Sequence, residues 1–219
     1  MLNKVNQKIG GFAALYQALA YIAAIVFFLV ILQVTGMEDP MQKVQMIVAH
    51  QTGNYLLNLI AYVFFGIALV VLALALQERL QSASPALMKV ATTLALIWAG
   101  LLIASGMIAN IGILSIEGLY NTDASQAAMA WFSIDTVAGG LSGNGEILGG
   151  CWTLLVSLVG LRSKKLPTAL NYLGLVIGGI GLISVIPALA DFTALFGIGQ
   201  IVWFIGLGVK LIKDSAAAA

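Results

Sequence analysis

Asp135 and Glu146 stand eleven residues apart in WFSIDTVAGGLSGNGEILGGCW (Trp131–Trp152), a stretch that contains no Lys or Arg. Both flanks are apolar, and six glycines lie between or just after the two acids. A carboxylate in apolar surroundings is costly, and it is typically found where it pairs, relays protons or holds a ligand. Eleven residues is close to three turns, so an unbroken helix would carry both acids on one face. A break within GGLSGNG opens two readings. In one, both acids sit at helix ends near water, with Glu146 just after an Asn144 cap, where negative charge suits the helix N-terminus. In the other, the break turns Glu146 into a cavity, and ligand or cation binding there depends on pH.

Further polar residues recur at matching depth. His50, Asn54 and Asn58 fall at i, i+4 and i+8, which draws a stripe along one helix face. Asn110, Asp191 and Gln200 stand in or beside other apolar runs. Taken singly, each needs no more than an interhelical hydrogen bond, worth ~0.6 kcal/mol. Taken together, His50, Asn54, Asn58, Asn110, Asp135, Glu146, Asp191 and Gln200 outline a polar cavity open to one side, and they form the candidate ligand-binding set. A zinc site would have to draw on His50, Asp135, Glu146 and Asp191, and with one histidine and no paired motif the sequence supports no metal centre. No GxSxG, phosphate-loop or dinucleotide pattern is present, so no catalytic residue and no cofactor is assigned. The lone Cys151 lies in an apolar run and reads as a small packing residue.

The elements that must position these residues follow from composition. The 219-residue chain is 61% hydrophobic and 9% charged, and its mean hydropathy is +1.02. A soluble domain carries roughly 25% charged residues, so the lipid bilayer is the expected surrounding. A net charge of +1 without a basic patch gives no footing for nucleic acid. About 20 apolar residues cross a hydrocarbon core, and six segments qualify: Ile9–Val34, Asn54–Leu76, Leu87–Ile113, Leu141–Leu161, Ala169–Leu189 and Phe192–Ile212. Lys4, Lys8, Arg79, Lys89, Arg162, Lys164, Lys165, Lys210 and Lys213 then fall on one side and only Lys43 on the other. The positive-inside rule makes that side, and both termini, cytoplasmic. The outer loops are not simple turns. Asp39 and Pro40 open a helix whose Met41, Val44, Ile47 and Val48 recur at helical spacing, as expected of a helix lying on the outer membrane surface. Asn121 or Asp123 caps a second, from Ala124 through Val137. From Asp123 to Leu161 a continuous helix would measure about 58 Å, too long for one span, so a break is expected at the glycines. Gly145 with Gly149 and Gly174 with Gly178 recur at four-residue spacing, which suits close helix packing within the chain or between copies.

From GEILGGCWTLLVSLVGLRSKKLPTALNYLGLVIGGIGLIS onward, the pattern resembles the bacterial six-span membrane proteins of domain-of-unknown-function family 4386. The resemblance rests on the glycine-rich fourth span, the cytoplasmic turn with Arg162, Ser163, Leu166 and Pro167, the following Leu173–Gly174, the closing Val209–Lys210 and the opening KIGGFAALYQALAYI. It implies fold and topology and no reaction. Members often carry Glu near the position of Gln200, which implies that this chain has lost a charge there. The expectation is an all-α, six-transmembrane-helix bundle over residues 1–214, with cytoplasmic termini and short extracytoplasmic helices in the 1–2 and 3–4 loops. The terminal SAAAA is expected to be an artificial remnant or a disordered end. Function is expected to be non-enzymatic binding of a small molecule, lipid or cation in an outward-facing pocket of a bacterial plasma-membrane protein. A small proton- or ion-linked transporter and a metal-dependent membrane hydrolase are the alternatives.

Overall fold

A computed structural model describes residues 2–32, 39–143 and 146–217. Among them there is helix and no strand. Helix α1 spans Leu2–Val26 and passes into a π-helical segment, Phe27–Ile31. Then come α2, Pro40–Ala49; α3, Gln51–Asn58; a π segment, Leu59–Phe64; and α4, Phe65–Leu80. Helix α5 runs Pro85–Tyr120, α6 Ala124–Ser142, α7 Ile147–Ser163, α8 Thr168–Ile183 and α9 Phe192–Ala217. Residues 215–217, at the foot of the expected tail, continue α9.

Five stretches are long and apolar enough to cross a membrane: Asn6–Ile31, Gln51–Leu80, Pro85–Tyr120, Ala124–Ser163 (α6 and α7 together) and Phe192–Ala216. The fifth expected span, Ala169–Leu189, corresponds to α8, which is apolar but shorter, at 16 residues. It stops at Ile183 rather than Leu189 because the chain turns there and Pro187 opens a 3₁₀ turn over Pro187–Leu189. The apolar exterior fits lipid: Leu19, Val30, Met107, Ile111, Phe132, Val176 and Val202 are each more than half exposed. Soluble surfaces rarely present so much contiguous apolar area.

The helices close into a ring in which α1 packs on α4, α4 on α5, α5 on α7, α7 on α8, α8 on α9 and α9 back on α1. Its centre is aromatic. Trp152 of α7 is fully buried and meets Trp203 and Trp98 at centroid separations of 5.4 and 6.1 Å. Phe65 of α4 meets Tyr21, Trp98 and Phe204. Around this cluster, small residues let backbones touch. A Cβ on Gly178 of α8 would lie 2.8 Å from the Gly150 carbonyl oxygen and the Leu154 amide nitrogen of α7. One on Gly174 would collide with Ser157 Oγ and the Trp203 indole. The Gly174 and Gly178 positions are therefore used inside the chain; Gly145 lies outside the described residues.

One end of the ring is stapled by charge. Arg79 at the end of α4 pairs with Asp214 of α9 and donates to the Lys165 carbonyl at 2.8 Å. Lys165 Nζ donates to the Arg79 carbonyl and to Ser82 Oγ, each at 2.9 Å, and Lys210 pairs with Asp214. Arg79, Lys165 and Lys210, assigned by the sequence to one side, thus meet at one end.

At the opposite end α5 continues past Ile113 to Tyr120, for a length of about 54 Å. That exceeds a hydrocarbon core of about 30 Å. Its extension carries α6 and α2. Asp39 accepts from the Met41 amide at 2.9 Å and Asp123 from the Gln126 amide at 2.9 Å, so both expected caps form. Helix α2 is present, but Val44 and Ile47 pack against Ile113, Ile116, Ala127, Ala128 and Trp131. Its most apolar face is covered by protein rather than laid on lipid, because the α5 extension and α6 offer a closer apolar partner.

Replacing Gly178 with Val is expected to force α7 and α8 apart at a backbone contact. Overpacking of this kind costs about 1–3 kcal/mol, and detergent-purified variant protein should unfold at a correspondingly lower temperature. Unchanged thermal stability would show that the close approach contributes nothing.

Candidate functional site: two adjoining cavities beneath the capped end

The expected glycine break is present. Helix α6 ends at Ser142, Gly143 takes φ 96°, a left-handed backbone suited to glycine, and α7 starts at Ile147 rather than near Leu141. Asn144, the proposed cap, lies outside the described residues. Glu146 occupies the position before α7, yet its side chain makes no cap hydrogen bond. Its amide donates to Ser184 Oγ at 3.1 Å, and Ser184, itself buried, donates to the Gly181 carbonyl. Helix α8 thereby holds the start of α7 in place.

An outer cavity of about 360 Å³ opens between α2, α3, α5 and α6. Asn54, Asn58 and Asp135 line it, together with Lys43, Trp131, Ser105 and Ser142. Asn54 donates to the His50 carbonyl at 3.0 Å, and Asn58 donates to Asn110 Oδ1 at 3.0 Å. Asn110 in turn donates to the Tyr55 carbonyl at 3.3 Å, so this amide chain locks the second membrane helix to α5. Ser105 donates to the Ala138 carbonyl at 2.8 Å and fixes α6, hence Asp135, on the same helix.

A second, inner cavity of about 260 Å³ adjoins the first and shares Tyr62 and Ser142 with it. Glu146 lines this inner space with Tyr21, Phe65, Trp98 and Thr193. Among the described residues the Glu146 carboxylate has neither a hydrogen-bond partner nor an ion-pair partner. Tyr62 lies in the π segment, where the widened turn shifts the helix face; such segments recur at functional sites. Gly106 of α5 permits its approach, since a Cβ there would come within 2.7 Å of Tyr62 Cβ.

Asn54, Asn58 and Asp135 thus meet in one cavity, with Asn110 behind Asn58 and Glu146 next door. The other members of the sequence-derived set lie elsewhere. His50 is exposed at the junction of α2 and α3 and lines neither cavity. Asp191 is exposed in the turn before α9. Gln200 is fully buried and donates to Thr153 Oγ1 at 2.6 Å in the packed core. Tyr62 was within reach of sequence reasoning, since it continues the Asn54–Asn58 stripe by one more step of four. Lys43, the one basic residue that the expected six-span topology sets apart from the other nine, was a second available signal. Tyr21, Phe65 and Trp98 carried none, because in an apolar segment periodicity does not separate the face toward lipid from the face toward the interior. Among the described residues, no three His, Cys, Asp or Glu side chains gather closely enough to hold a metal ion.

The fold and its cavities define a multi-pass, all-helical membrane protein. The model of the family described as domain of unknown function DUF4386 matches residues 9–212, and the chain belongs to that family. No curated protein and no solved structure matches it.

Asn110→Ala is expected to cost about 1 kcal/mol, two interhelical hydrogen bonds at ~0.6 kcal/mol each. Asn58→Ala should then add little in the Asn110→Ala background, since the pair acts as a unit. Strict additivity in a double-mutant cycle of unfolding measurements would show the pair to be energetically silent.

Proposed function

We propose that this chain is a six-span, non-enzymatic protein of the bacterial plasma membrane, with both termini cytoplasmic, that binds a small molecule, lipid or cation through its outward-facing cavity. The observation that carries this reading is the outer cavity itself. Two amides, a carboxylate and an ammonium converge on a space of about 360 Å³ at the end of the bundle opposite the Arg79–Lys165–Lys210 staple. A concave site with a few convergent polar groups on an apolar wall is the usual form of a ligand pocket. The basic staple supplies the orientation, because basic residues gather on the cytoplasmic side. A proton- or ion-linked transporter is the second reading. It is favoured by one feature, Glu146, which is unpaired among the described residues and lines a cavity within the membrane bundle.

In a Cys151→Ala background, cysteine at Asp135 is expected to react with a membrane-impermeant thiol reagent in intact cells, and cysteine at Lys164 only after lysis. The reverse pattern would overturn the topology. A compound that raises the melting temperature of the purified protein should lose that effect in Asn58→Leu and Asp135→Asn variants; an undiminished shift in both would remove the outer cavity as the site. Flux of such a compound into proteoliposomes, abolished by Glu146→Gln, would select the transporter.

A further inference from the structure

We propose that the inner cavity is a binding site for an organic ammonium group, with Glu146 as counter-ion and Tyr21, Tyr62, Phe65 and Trp98 as an aromatic wall. This deepens the pocket reading above and rests on it for access, taking as the entrance the outer cavity, which shares Tyr62 and Ser142 with the inner one.

The argument begins with charge. Lys43 and Asp135 both line the outer space and offset each other, whereas among the described residues no basic side chain lines the inner one. Among the described residues, Glu146 is the only charged one on the inner wall, and its carboxylate has no partner. A half-buried carboxylate in such surroundings calls for a cation. The remaining wall selects which kind. A hard metal ion needs several oxygen ligands, and beside Glu146 this wall offers chiefly aromatic carbon and the four neutral hydroxyls of Tyr21, Tyr62, Ser142 and Thr193. Aromatic rings instead attract a bulky, weakly hydrated ammonium through their quadrupoles, the pattern by which quaternary ammonium groups are recognised. The rings are also fixed before any ligand arrives. Tyr21 and Phe65 meet edge to face at 5.4 Å, and Phe65 and Trp98 at 6.1 Å, so little ordering remains to be done on binding.

Choline is the probe, and its uncharged isostere with carbon in place of nitrogen is the control. Binding is measured by calorimetry on the full chain in a maltoside detergent. The wild-type protein is expected to bind choline at least tenfold more tightly than the isostere, a comparison that needs no variant. Glu146→Gln should weaken choline binding at least tenfold. Tyr21→Phe keeps the ring and should stay within about twofold, whereas Tyr21→Leu should lose about threefold to tenfold. Equal binding of choline and isostere, no choline binding, or wild-type affinity in Glu146→Gln would each overturn the proposal. A short-chain phosphocholine lipid forms the second arm. Tighter binding than choline assigns the site to a lipid headgroup, and weaker binding to a free cation; both outcomes support ammonium recognition. Binding lost in Asn58→Leu and Asp135→Asn but retained in Glu146→Gln would leave the outer pocket standing and sink this inference. Binding that depends on Glu146 alone would do the opposite.

Discussion

The rings of Trp98, Trp152, Trp203, Phe204, Phe65 and Tyr21 pack into a single cluster that joins α1, α4, α5, α7 and α9. Helix α8 joins through Gly174, whose missing side chain leaves room for the Trp203 indole. In lipid there is no hydrophobic drive pulling one apolar helix onto another, so close van der Waals fit must hold the ring together. Large rigid side chains supply that fit, and each well-placed aromatic pair adds about 0.5–1.5 kcal/mol beyond its buried area. The cluster also closes the middle of the bundle. Three of its members form part of the inner cavity wall, so the packing that stabilises the protein also sets how deep a ligand can reach.

Above that cluster, position is set by polar links rather than bulk. Ser184 ties the Glu146 amide to α8, Ser105 ties α6 to α5, and the Asn58–Asn110–Tyr55 chain ties the second membrane helix to α5. Each link joins a cavity-lining element to a neighbour that is already fixed below. The arrangement separates two tasks: aromatic packing holds the bundle, and a few hydrogen bonds aim the polar residues.

Much of this was legible in the residues. Asp39 and Asp123 marked helix starts because short polar side chains before an apolar run satisfy free amides. The glycine break was readable because an unbroken helix over Asp123–Leu161 would be too long for one crossing. The Asn54–Asn58 stripe marked the helix face that lines the outer cavity. Other features depended on partners far away in sequence. Helix α5 overshoots its expected end at Ile113 because α2 and α6 pack on the overshoot. His50 and Asp191 line neither cavity, since each sits exposed at a turn rather than on an inward face. Gln200 is turned into the core by its bond to Thr153, a pairing no local pattern announces.

The widened turn at Leu59–Phe64 has a mechanical meaning for the second membrane helix. One added residue turns everything beyond it by about 100° about the axis, the angular step of a 3.6-residue turn. The half carrying Leu69, Leu72 and Leu76 can therefore mesh with the core while the half carrying Asn54 and Asn58 is indexed separately toward the cavity. The helix works as two cams on one shaft. Its polar lobe can be re-indexed by a single insertion or deletion within the collar between them, leaving the meshed half and its stapled end untouched.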